Sequence, residues 1–180
     1  MINEKTTVPA EPLPGDVGLV EISGSVGSLI RFGQWLNGDG FANYEHAFVY
    51  IGDGNIIEAQ PGGAIQTNLS KYDGRPIFWS TNLINLTAQQ RVGIVAIAKG
   101  QIGTPYSFLD YFAMATKRFH LPLPWVTARV LNSKHLICSQ LCAKDYEEVG
   151  SKISNKPAYL TSPGRIRDYL LSLEKQLARS

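Results

Sequence analysis

Cys138 is the residue in this chain best suited to nucleophilic chemistry. It stands at or just after the start of a predicted helix, where unpaired backbone N–H groups and the positive end of the helix dipole favour a thiolate. A thiolate there is a good nucleophile, and the same N–H groups can hold an oxyanion. A cysteine in an apolar helix is more commonly a small buried hydrophobe, so position alone leaves both roles open. Cys142 lies one turn deeper and reads as core. The chain has three histidines: His46 opens a strand, His120 falls in a proline-broken loop, and His135 precedes Cys138 by three residues. His135, Cys138 and Cys142 supply three ligands at a spacing unlike that of paired zinc knuckles, so no metal is expected.

Glu58 singles out His46. It follows by twelve residues, on the next strand of a tight hairpin, where a carboxylate can orient an imidazole and balance its charge. Register decides whether the two meet. A plain two-residue turn at Asp53-Gly54 sets Glu58 opposite Val49, facing away from His46. A three-residue turn, Gly52-Asp53-Gly54, sets it opposite Phe48, on the His46 face and diagonal to it.

The elements that must carry these residues are legible in outline. Pro14-Gly15-Asp16 is a turn leading into a strand over 18–22. Ser25 caps a helix carrying Leu29, Ile30, Phe32 and Trp35, which Asn37-Gly38-Asp39-Gly40 ends. Residues 45–80 read as an antiparallel meander: strands over 46–51, 55–59 and 64–67, with 76–79 closing the series. Thr87 opens a helix that turns Val92, Ile94, Val95 and Ile97 toward a core and stops near Gly103-Thr104-Pro105. A second helical stretch covers 108–116, and 119–131 is an apolar, proline-broken loop or lid. A helix over 137–149 is stopped by Gly150. Ser162 and Pro163 open a last one with Ile166, Tyr169, Leu170, Leu173 and Leu177 on one face. Strands cluster in one half with helices around them, so the class is α+β.

Composition narrows the function classes. With 180 residues, 44% hydrophobic and 18% charged, the chain is sized for one globular domain over 15–180, preceded by a flexible arm at 1–14. A net charge of +2 with no clustered Lys or Arg argues against nucleic acid as partner. Two cysteines four apart on one helix are poorly placed to bridge. The first residues lack the apolar core of a signal peptide, and no apolar run approaches ~18 residues, so neither Sec export nor a transmembrane segment is expected. No phosphate loop, paired carboxylate motif or zinc knuckle is present, and no cofactor is implied.

Four segments in order resemble one family. His46 to Ala59 (HAFVYIGDGNIIEA) resembles the histidine hairpin of the NlpC family of papain-like cell-wall hydrolases, and Pro14-Gly15-Asp16-Val17-Gly18-Leu19 resembles the strand that precedes it. Gly103-Thr104-Pro105-Tyr106 and Ile137-Cys138-Ser139-Gln140-Leu141 resemble that family's tyrosine segment and its nucleophile helix. In most members the cysteine helix comes before the histidine hairpin. Here it follows, as in the circularly permuted branch that includes YiiX-like proteins and relatives of lecithin–retinol acyltransferase. The resemblance spans roughly residues 14–170. It implies a papain-like half-barrel packed against helices, with Cys138 as nucleophile, His46 as base, Glu58 as third residue, and Tyr106 near the nucleophile helping the oxyanion site. Two departures stand out: the third position of the main branch is often His, and the secreted wall enzymes carry an export signal.

The expected activity is therefore amide hydrolysis through an acyl-enzyme, on peptidoglycan stem peptides or similar small peptides. A phage-encoded or virion-carried wall hydrolase fits the missing signal, as does a cytoplasmic location in the producing cell. One alternative is lipid acyl transfer or thioester hydrolysis, motivated by Phe119, Leu121, Leu123 and Trp125. Another is a non-catalytic binding module on the same fold.

Overall fold

A computed structural model describes residues 11–21, 46–60, 63–105 and 138–179. Short runs rich in β-branched and aromatic residues form strands β1 (Val17–Val20), β2 (His46–Gly52), β3 (Asn55–Gln60), β4 (Gly63–Asn68) and β5 (Ile77–Trp79). They form one open antiparallel sheet in the order β4-β3-β2-β1-β5. Helices α1 (Ala88–Gly100), α2 (Cys138–Glu148) and α3 (Pro163–Leu177) complete the regular elements among the described residues, which is an α+β arrangement. The expected helices over 25–35 and 108–116, the 119–131 loop and the first ten residues of the arm lie outside the described residues.

The sheet differs from a simple meander at its last strand. β2, β3 and β4 follow one another, but a 3-10 turn at Leu69–Tyr72 then takes the chain away, and β5 pairs with β1 at the opposite edge. No local sequence rule distinguishes these two places for a three-residue strand; the choice belongs to packing.

One face of the sheet presents Val17, Leu19, Ala47, Val49, Ile57 and Ala59 to the helices, where they meet Ile94, Leu141, Tyr146, Ile166 and Leu170 in the main core. The other face carries Phe48, Ile56 and Tyr72, with Tyr50 and Trp79 at its margin. Phe48 stacks on Tyr72 (5.3 Å between centroids, 6° between planes) and meets Trp79 edge-on at 5.6 Å. Gly18 permits this cluster: a Cβ there would lie 2.5 Å from the Phe48 ring and 2.9 Å from that of Trp79.

The caps of α1 and α3 are as expected. Thr87 closes a capping box with Gln90, and Ser162 caps α3 with Pro163 in the first turn. Two apolar assignments are not. Val92 is 71% exposed, because Ile94 and Ala98 face the core and a residue two positions earlier points the other way. Leu177 is exposed as well, in the last turn of α3 beyond its buried contacts at Ile166 and Leu170.

Helix α2 is fastened at both ends. In its first turn Ser139 Oγ donates to the Thr161 carbonyl at 2.7 Å and Gln140 Nε2 to the Tyr159 carbonyl at 3.0 Å. Further along, the Tyr146 hydroxyl donates to the Gly15 carbonyl at 2.8 Å, tying the helix to the turn before β1.

The middle of α2 holds a neutral acid. Gln101 Nε2 donates to Asp145 Oδ1 at 2.5 Å, while Asp145 Oδ2 and Gln101 Oε1 are buried without a partner among the described residues. Burial, with Glu148 nearby, raises the Asp145 carboxyl to about 8 against the hydrogen bond from Gln101 and the charge of Lys144. A proton on Oδ2 removes the charge that burial penalises and leaves one fewer orphaned acceptor. The unfolded chain releases this proton near 3.8 and the folded chain near 8, so its contribution to stability falls as pH rises through that window. Asp145→Asn keeps an oxygen to accept from Gln101 Nε2 and carries no titrating proton. Its melting temperature should therefore gain on wild type between pH 4 and 8, each kcal/mol moving Tm by about 2–4 °C. A difference independent of pH would mean that Asp145 is ionised in the folded chain.

Candidate active site

His46 and Glu58 meet because the hairpin between them contains one extra residue. The turn itself is Asp53-Gly54, both with positive φ (51° and 69°), and Gly52 pairs with Asn55. Between Tyr50↔Ile56 and Gly52↔Asn55 the ladder skips Ile51, a β-bulge next to Gly52 at φ 97°. The bulge sets Glu58 opposite Phe48, the register expected from a three-residue turn, although the turn has two residues. His46, Phe48 and Glu58 consequently share a face.

His46 Nε2 and Glu58 Oε2 are 2.6 Å apart, with His46 5% exposed and Glu58 fully buried. Three more donors converge on the carboxylate. The Tyr72 hydroxyl donates to Oε2 at 2.5 Å, while Gln60 Nε2 and Lys71 Nζ donate to Oε1 at 2.6 and 2.8 Å. Burial alone would raise this carboxyl. The bonds from His46, Lys71 and Tyr72 and the charge on His46 outweigh it and hold Glu58 at about 2.

Cys138, in the first turn of α2 and fully buried, is hydrogen-bonded to His46. With Nε2 engaged by Glu58, Nδ1 is the ring nitrogen available to the sulfur. Burial opposes charge on the thiol. The His46 charge and hydrogen bond, followed by the backbone N–H groups of Ala47 and Ser139, overcome that and lower Cys138 below the ordinary thiol range. Burial likewise opposes charge on His46, but Cys138 first and Glu58 second raise it to about 9. Cys142, equally buried, has no imidazole beside it among the described residues; burial pushes its thiol up, with Asp145 and Cys138 adding to the shift. The two thiols are thus told apart by electrostatics and not by exposure.

Of the four residues picked from the sequence, Cys138, His46 and Glu58 come together, and Tyr106 lies outside the described residues, as do His120 and His135. Sequence reasoning does not single out Gln60, Lys71 and Tyr72. Gln60 was legible in principle, two residues from Glu58 on the same strand face. Lys71 and Tyr72 reach the site through a 3-10 turn that has no sequence periodicity to betray it.

A cavity of about 380 Å³ lies elsewhere on α2, lined by residues including Ala143, Glu147, Lys152 and Lys156, and contains none of the three. Among the described residues no group of three or more His, Cys, Asp or Glu side chains is placed to hold a metal ion, and no helix is long and apolar enough to cross a membrane. No protein-family model matches the chain, and no curated protein matches it.

Proposed function

We propose that the chain is a cysteine hydrolase of the circularly permuted, papain-like NlpC type, acting on amide bonds of peptidoglycan stem peptides or similar small peptides. The observation that carries this reading is His46 held between Glu58, 2.6 Å from Nε2, and the Cys138 thiol. Support for the permuted assignment is the chain order, histidine hairpin first and cysteine helix second. The substrate class rests on the resemblance of the four sequence segments. The apolar 119–131 segment behind the acyl-chain alternative lies outside the described residues.

In the proposed cycle the Cys138 thiolate attacks the amide carbonyl carbon, and the electron pair of the C=O bond moves onto oxygen. Backbone N–H groups at the start of α2 stabilise that oxyanion. The His46 imidazolium gives its proton to the amide nitrogen as the C–N bond breaks, leaving a thioester on Cys138. His46, now neutral, takes a proton from water as the hydroxide adds to the thioester, and the C–S bond breaks to release the acid. Glu58 keeps the imidazole oriented in both directions.

Brief treatment of the full chain with limiting iodoacetamide from pH 5 to 8, read by mass spectrometry, tests the pair. Cys138 should be alkylated well ahead of Cys142 at the acid end, and His46→Ala should weaken the preference. Because both sulfurs are fully buried, access alone predicts no preference. Equal labelling of the two would show inert thiols and favour the binding-module reading, and a preference undiminished in His46→Ala would remove His46 from the pair.

A further inference from the structure

Lys71 has no role in the acyl-transfer cycle, yet its ammonium is 2.8 Å from Glu58 Oε1. In the active form the site contains a thiolate, an imidazolium and a carboxylate, which leaves one net negative charge among three groups that are each at most 5% exposed. Uncompensated charge in such a place is costly. Lys71 brings the balancing positive charge from the surface. Its side chain is 39% exposed, and its Nζ lies 5.3 Å from the centroid of the Tyr72 ring.

We infer that Lys71 is a positioning residue for the Cys138–His46 pair, its ammonium acting through Glu58 to make the thiolate–imidazolium form the resting state. This rests on the cysteine-hydrolase reading and deepens it. Without Lys71 the carboxylate keeps His46, Tyr72 and Gln60 and stays ionised, so the cluster gains an excess negative charge. That excess repels the thiolate and returns its proton at a higher pH. Among the described residues the other ionisable neighbours do not substitute. Tyr72 is held neutral by burial and by Glu58, and Cys142 is held neutral by burial. Arg75 acts on Tyr72, but its guanidinium donates to the Glu21 carbonyl at 3.3 Å.

Lys71→Met keeps the stem and removes the charge, whereas Lys71→Arg keeps the charge. The readout is the rate of Cys138 alkylation by iodoacetamide from pH 5 to 9 on the full chain, with thermal melting to show that each variant is folded. Lys71→Met should move the pH midpoint upward and slow alkylation at pH 6 by about 3–10-fold, with the rate recovering at high pH. Lys71→Arg should restore most of the low-pH rate. An unchanged midpoint in Lys71→Met, or an equal loss at every pH in both variants, would overturn the role of Lys71 while leaving the hydrolase reading intact. If wild-type Cys138 is no more reactive than Cys142, the hydrolase reading itself fails, and this inference with it.

Discussion

Replacing Cys138 by Ala should abolish hydrolysis of peptidoglycan stem peptides, lowering kcat/KM by at least about 10⁴-fold. The variant should also change His46 in a way that needs no substrate to detect. Alanine suits the first turn of α2, and Ser139 and Gln140 still fasten that turn to the 158–161 segment, so the fold has no reason to shift. What disappears is the sulfur that faces His46 and the backbone N–H groups of Ala47 and Ser139. Cys138 is the largest of the influences that raise His46 against its burial; with only Glu58 left, its titration should fall below about 9. Histidine NMR on both chains measures this directly. In wild type the His46 contribution to stability is complete below 6.5 and is lost as pH rises through about 9. In the variant that loss should begin at lower pH. Turnover within tenfold of wild type, or an unmoved His46, would remove Cys138 from the mechanism.

The strands and helix caps were legible because each rests on a local rule. Thr87 with Gln90, Ser162 with Pro163, and alternation along His46 to Tyr50 all depend on residues a few positions apart. The register of the hairpin was legible only as a choice of two. An extra residue between His46 and Glu58 puts them on one face, and whether that residue enters the turn or bulges at Ile51 gives the same pairing. The structure takes the bulge, with Gly52 supplying the positive φ it needs. What could not be read is the part built by tertiary contact. The move of β5 to the far edge and the arrival of Lys71 and Tyr72 at Glu58 depend on which surfaces meet. Gly18 belongs to the same class: a missing Cβ was visible, but not the Phe48 and Trp79 rings that fill its place.

Glu58→Gln should be the most destabilising single change at this site, and it should impair catalysis too. The carboxylate accepts from four donors on two oxygens. Glutamine has one acceptor oxygen, and its amide NH₂ group must confront at least one of those donors. The substitution also removes the anion shared by the buried imidazolium and the Lys71 ammonium, leaving only the Cys138 thiolate against two cations, a change worth about 3–5 kcal/mol near pH 7. Loss of the group that orients His46 should lower kcat/KM by about 10²–10⁴-fold. The pH dependence separates lost charge from lost packing. Glu58 is ionised down to about 2 in the folded chain against 4.5 when unfolded, so its contribution is full above 4.5 and disappears as pH falls through about 2. Urea unfolding of wild type and Glu58→Gln should therefore show a stability gap that is wide at pH 7 and narrows steadily between pH 4.5 and 2. The alkaline limb of activity should move to lower pH, because Glu58 helps to raise His46. A gap that stays constant down to pH 2 would mean that Glu58 acts through shape alone, and the charge balance assigned to Lys71 would then lose its basis.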